Sequence, residues 1–200
     1  PERNDFPLMR GKEFMIEADF QGAKGQAFTD MPGNYEGSVR DVLSLDPTDN
    51  FQRAIFVATL NAVMRHENLI EQAIHCRDKE PGLCAEKLVT YMKDRYGDPR
   101  IALIGYQPAM AASLSRAFAL RIVDLDEDNI GKERAGVIVD GPEATPEVID
   151  WCDVILSTGS TAVNGTMGKF LNGKPVVFFG VTVAGIAALC GLERYCPYGH

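Results

Sequence analysis

Arg100-Ile101-Ala102-Leu103-Ile104-Gly105, then a stretch opened by Pro108, then Arg121-Ile122-Val123-Asp124-Leu125-Asp126 decide how this chain folds. The first is a short apolar run ending in glycine. Pro108 suits the first turn of a helix, where a missing N–H costs nothing, and that helix is expected over 108–118. The third stretch reads as a second strand. Strand, helix and strand in close succession make a βαβ unit, two parallel strands joined by a crossover helix. Downstream, further strands are expected at 136–139, 153–157 and 175–179. Helices are expected at 146–151 with Thr145 as cap, at 162–171, and at 183–190 stopped by Gly191. The alternation predicts an α/β fold with a Rossmann-like, mostly parallel sheet and helices on both faces.

Upstream the pattern differs. Residues 13–20 and 25–30 alternate in polarity, and Gly22 and Gly25 punctuate them as in a strand–turn–strand segment. Asp46-Pro47-Thr48-Asp49 is a stop-and-start signal. Over 51–64 apolar residues occupy nearly all faces: Phe51, Ala54, Ile55, Ala58 and Ala62 on one, Phe56, Leu60 and Val63 on another. That predicts a helix buried between layers. Pro81 opens a helix running to about Tyr96, with Ala85, Leu88, Val89, Met92 and Tyr96 inward, and Gly97-Asp98-Pro99 ends it. The change of pattern there divides the chain into a small α+β lobe, 1–97, and a Rossmann-like lobe, 98–200.

Composition narrows the function. Apolar residues at 46% and charged residues at 24% are ordinary for a globular core. A net charge of −8 with scattered lysines and arginines argues against a nucleic-acid surface. No run approaches the roughly 18 apolar residues of a membrane helix, the 178–191 stretch being broken by glycines and a threonine. Five irregularly spaced cysteines and no secretory signal lead to the expectation of a reducing cytoplasm.

Four polar or glycine-rich segments follow expected strands: Gly105-Tyr106-Gln107-Pro108, Asp124-Leu125-Asp126, Thr158-Gly159-Ser160-Thr161 and Gly180-Val181-Thr182. Ligands of open α/β sheets bind outside those carboxyl ends. Residues 158–166 carry the sharpest signal. Gly159 lets backbone approach a ligand, Ser160 and Thr161 offer hydroxyls at a helix start, and Asn164 and Thr166 follow within a turn or two. The bland reading is a Ser/Thr cap on an ordinary helix. Gly105-Tyr106-Gln107 lacks the later glycines of the dinucleotide fingerprint. Asp124 and Asp126 lie where a ribose-binding acid would be, and equally suit a metal or a strand end in water.

His75-Cys76 with Cys84, and Cys190 and Cys196 with His200, lack the close cysteine spacing of zinc ribbons. Cys190 and Cys152 read as packing residues. Cys84, in the first turn after Pro81, sits where a helix dipole favours thiolate, so His75, Cys76 and Cys84 are candidate ligands for Zn, Cu(I), Ni or Fe. Buried thiols beside a surface histidine are the alternative. Gly11-Lys12-Glu13 and Phe28-Thr29-Asp30 mark strand ends. No Ser-His-Asp, HExxH or phosphate-loop pattern occurs.

The stretches TGSTAVNGT (158–166), KPVVFFGVTVAGIAAL (174–189) and IALIGYQPAM (101–110) resemble the DUF364 family, described as heavy-metal chelation proteins. LMRGKEFMIEADFQGAKGQAFTD (8–30) and HCRDKEPGLCAEKL (75–88) look like a branch of it. The resemblance implies an enolase N-terminal-like lobe followed by a Rossmann-like lobe, with a site in the cleft between them. By motif it points to Gly105, Thr158, Gly159, Ser160, Thr161, Asn164 and Thr166, whereas His75, Cys76 and Cys84 depart from the family's general pattern. The function expected is binding or processing of a metal ion or anionic metal chelate, held at the TGST helix start. Gln107, Asp124, Asp126 and Thr182 complete the ligand set. The alternative is a Rossmann-type enzyme using a nucleotide or S-adenosylmethionine, so whether the chain is an enzyme stays open. Expected partners are the small molecule or chelate and a second copy in a homodimer, with no nucleic acid and no membrane.

Overall fold

A computed structural model describes residues 12–171 and 173–200. Gly11 and the start of the 8–30 segment lie outside the described residues. Two compact units emerge, one comprising Lys12–Cys76, Gly159–Lys169 and Phe178–His200, the other Arg77–Thr158 and Phe170–Val177.

The first of these opens with a hairpin of β1 (Phe14–Phe20) and β2 (Ala23–Thr29), antiparallel with Phe20 opposite Ala23. The two-residue turn holds Gln21 at φ 52° and Gly22 at φ 85°, the type I′ geometry that matches strand twist. A short α1 (Val39–Val42) precedes α2 (Asn50–His66), which Asp49 caps by accepting from Gln52 N at 2.8 Å. Gly25, expected as punctuation, lies inside β2. A Cβ there would sit 2.3 Å from Ala62 N and 2.5 Å from Ala58 O, so its absence lets helix backbone meet strand backbone. Ala27, Ala54, Val57, Ala58 and Val163 form the core of this contact. The helix is not buried all round: Phe56 is exposed, while Asn61 is fully buried among the small apolar residues.

The other unit begins with α3 (Glu80–Tyr96), which has Pro81 in its first turn and Gly97 at its end at φ 75°. Then come β3 (Ile101–Ile104), α4 (Pro108–Leu114), β4 (Leu120–Val123), β5 (Glu133–Arg134), β6 (Val137–Asp140), α5 (Thr145–Trp151) and β7 (Val154–Thr158). The chain continues through α6 (Ser160–Val163), a 3-10 turn (Met167–Phe170), β8 (Val176–Phe179), α7 (Ala184–Cys190) and β9 (Glu193–Tyr195).

Seven strands make one sheet in the order β5-β6-β4-β3-β7-β8-β9. β3 runs parallel to β4 and β7, and β4 parallel to β6; only the added edge strand β5, absent from the sequence expectation, is shown antiparallel. Leaving β5 aside and counting along the chain, the order is 3-2-1-4-5-6, that of doubly wound dinucleotide-binding sheets. All four residues of β3 are buried. Ala102 and Ile104 pack with Val148 and Ile149 of α5, and Ile101 and Leu103 point the other way and are equally enclosed. Burial on both faces is what a central parallel strand requires, and explains its unbroken apolar run.

Several element boundaries differ from expectation. α4 ends at Leu114 rather than 118. Thr145 is inside α5 and not its cap; its Oγ1 donates to Pro142 O at 2.7 Å. The helix expected over 162–171 is broken, because Gly165 takes φ +75° and the chain restarts as a 3-10 turn. Gly191 stops α7 in the left-handed region as expected, but α7 buries only Ala184, Gly185 and Ala187. Cys190 therefore falls on its outer side and is exposed, not core. No described helix is long and apolar enough to cross a membrane.

Candidate functional site

Strand order reverses between β3 and β7, neighbours in the sheet whose chains leave in opposite directions. Such a switch point opens a crevice outside the strand ends. Gly105 ends β3 there, its N–H donating to Val123 O at 2.8 Å, with φ +87°. A Cβ on it would lie 2.6 Å from Thr158 Cγ2, so both conformation and close approach require glycine. Thr158, ending β7, is half-buried.

The helix start beside Gly105 is partly occupied. Gln107 caps α4, its Oε1 accepting from Met110 N at 2.6 Å, and Pro108 contributes no N–H. Asp124 is likewise committed. Its Oδ2 accepts from Tyr106 N (2.9 Å) and Asn129 Nδ2 (3.3 Å), and its Oδ1 from Leu125 N (2.6 Å) and Asp126 N (2.9 Å). A carboxylate offers about four lone-pair sites, so Asp124 is a clamp tying the loop after β3 to the loop after β4. Asp126 Oδ1 accepts from Asp128 N at 3.0 Å within that loop.

In the other unit, Gly159 also lies where a side chain would collide, 2.9 Å from Val183 N. Ser160 and Thr161 are buried, and the helix they begin is one turn long with no side-chain cap, too short for an appreciable dipole. Asn164 Oδ1 accepts from Thr166 N (3.1 Å) and Thr166 Oγ1 (2.6 Å), so these two residues hold each other. Sequence reasoning missed Arg53, whose guanidinium donates to Val163 O, Pro47 O and Asn50 Oδ1 and lies against the bare face of Gly165. Thr182 is buried and spent on structure, its Oγ1 accepting from Phe28 N at 3.0 Å. Arg194 anchors Gly180 in the same loop, donating from Nε to its carbonyl at 2.9 Å; burial lowers the guanidinium pKa and the Cys196 sulfur partly opposes this. No local motif marks either arginine, since each ties its segment to a backbone carbonyl distant in sequence, Val163 O for Arg53 and Gln72 O for Arg194.

The candidate metal ligands do not assemble. Among the described residues no group of three or more His, Cys, Asp or Glu side chains is placed to hold a metal ion, so His75, Cys76 and Cys84 form none. His75 Nδ1 lies 2.7 Å from Cys76 O, and its ring stands edge-on to Phe28 at 5.4 Å. Cys84 is buried within α3, in the other unit. The donor set present does not fit a resident metal.

Residues 88–192 match the family model of DUF364, described as "Putative heavy-metal chelation". Two solved structures share the fold. One, a DUF364 protein of unknown function from Pyrococcus horikoshii, is 16% identical with a TM-score of 0.58, over 86% of this chain and 69% of that one. The other, of unknown function from Desulfitobacterium hafniense, is 12% identical with a TM-score of 0.55, over 88% of this chain and 76% of that one. No curated protein matches this chain.

Proposed function

Because this chain belongs to the DUF364 family, we propose that it binds a small, oxygen-rich anion, carried as a metal chelate, where β3 and β7 part. The observation that carries this reading is the position of Gly105 and Thr158 side by side at the strand ends of the switch point, with the Thr158 methyl packed on bare glycine backbone. A ligand there meets backbone, the Thr158 hydroxyl and the Gln107 amide nitrogen, whose oxygen partner is already engaged by Met110 N. Hydroxyl and amide donors suit carboxylate or carbonyl oxygens better than a cation. Thr158 continues directly into Gly159, Ser160 and Thr161, and Asn164 and Thr166 shape the turn beyond.

The sheet's strand order is shared with dinucleotide-binding proteins, but fold does not carry function. A pyrophosphate would need free N–H groups at the start of α4 and an acid for the ribose. Pro108 and Gln107 take up part of the first, and four donors occupy Asp124, leaving Asp126 as the acid for the second. The nucleotide reading is therefore the weaker of the two.

Calorimetric titration with nickel citrate tests the proposal. Thr158→Val removes one hydrogen bond to a charged group, about 1.5–3 kcal/mol, so affinity should fall about tenfold or more. Gly105→Ala should weaken binding strongly by pushing the Thr158 side chain away and straining φ. Equal affinity in both folded variants and the native chain refutes the site, and no binding to the native chain refutes the ligand class.

A further inference from the structure

Soft heavy metals are held by thiolate and imidazole, and all five cysteines and three histidines of this chain lie among its described residues. Their placement can be followed one by one. Cys152 is buried, its Sγ donating to Ile149 O at 3.3 Å, and burial pushes its thiol pKa up, away from the thiolate a metal needs. Cys84 is enclosed in α3, and Cys190 stands on the exposed side of α7. His66 packs edge-on to Phe20 at 5.2 Å.

The backbones of Ile74 and His200 pair, exchanging hydrogen bonds of 2.8 and 2.9 Å. They bring His75 and Cys76 toward the stretch that holds Cys196 and His200. Even there no three ligand side chains converge. His75 Nδ1 lies 2.7 Å from Cys76 O and 4.0 Å from Cys76 Sγ, a pair of soft donors without a third, and the Cys196 sulfur lies against the Cα of Gly199, 3.1 Å from where a Cβ would be.

We infer that this chain has no site of its own for a bare heavy-metal ion, and that metal reaches it inside an organic chelate that supplies the ion's first ligands. The second half rests on the proposed anion site; the first stands on the soft donors, of which no three converge among the described residues. The chain would then read the outer oxygens of a carboxylate-rich chelate, and the metal would be cargo.

The test uses the reduced full chain under anaerobic conditions. In one arm it competes for zinc with a colour indicator of micromolar affinity. In the other it is mixed with nickel, with or without citrate, desalted, and analysed for nickel and citrate. The indicator should keep its zinc, and nickel should travel with the protein only alongside citrate. Withdrawal of one zinc per chain, or one per two chains sharing ligands, overturns the inference, the more firmly if Cys76→Ser abolishes it. If nickel travels in neither case, the chelate half and the proposed function fall while the exclusion of the bare ion stands.

Discussion

Asn61 offers the sharpest test of how the hairpin, α2 and the loop after β8 are joined. Its side chain is fully buried; Nδ2 donates to Gln26 O (3.0 Å), Val181 O (3.2 Å) and Thr182 O (3.0 Å), and Oδ1 accepts from Gly185 N (2.7 Å). Two amide hydrogens serve three carbonyls, so one bond is shared. Asn61→Leu keeps the volume but leaves the Gly185 N–H and at least one carbonyl without a partner, at about 1–3 kcal/mol each. Urea unfolding should show a loss of about 3–5 kcal/mol with an unchanged m-value. Asn61→Asp separates this account from simple packing. The introduced carboxyl would face three carbonyl oxygens, so its folded pKa must rise above its unfolded value of about 3.9. Ionisation is then disfavoured in the fold: the deficit against the native chain should grow as pH rises from that value, and shrink in acid as a protonated oxygen donates again. A loss below about 1 kcal/mol in the leucine variant, or a pH-independent deficit in the aspartate variant, would refute the network.

Two further outcomes follow from the other unit. Hydrogen bonds from Arg100 hold the Asp153 carboxyl well below the usual carboxylate range, so this pair contributes stability above the unfolded pKa of about 3.9 and loses it as pH falls. Arg100→Gln should therefore raise the acid-unfolding midpoint. Fluorescence of Trp151, the sole tryptophan, whose ring lies 5.7 Å from the Arg100 guanidinium, reports it, and coincident midpoints would show the pair to be idle. In the β5–β6 turn, Ala135 is held at φ +54° beside Gly136 at φ +79°. Ala135→Asn should stabilise by about 0.5–1 kcal/mol because asparagine tolerates the left-handed region, and a lower thermal midpoint would count against the turn geometry.

Local pattern was enough to read much of the architecture. The run 101–104, the proline-opened helix after it and the strand read at 121–126, which the structure places at Leu120–Val123, declared a parallel βαβ unit, because burial on both faces demands unbroken apolar residues and a crossover. The hairpin, the long helix after Asp49 and the stop at Gly191 were likewise legible from alternation, capping and the freedom of glycine. What only the tertiary structure decided was which of these features are spent on contacts within the fold. Asp124 looked like a ribose acid until four donors from two loops filled it, and Thr182 looked like a ligand contact until Phe28 claimed its hydroxyl. Gly25 looked like a turn until α2 crossed it, and Arg53 and Asn61 carried no motif at all. A hydrogen bond, or a close approach between residues far apart in the chain, is a property of pairs. Sequence reports each partner's capacity, and only the folded chain shows whether that capacity is spent inside or left for a ligand.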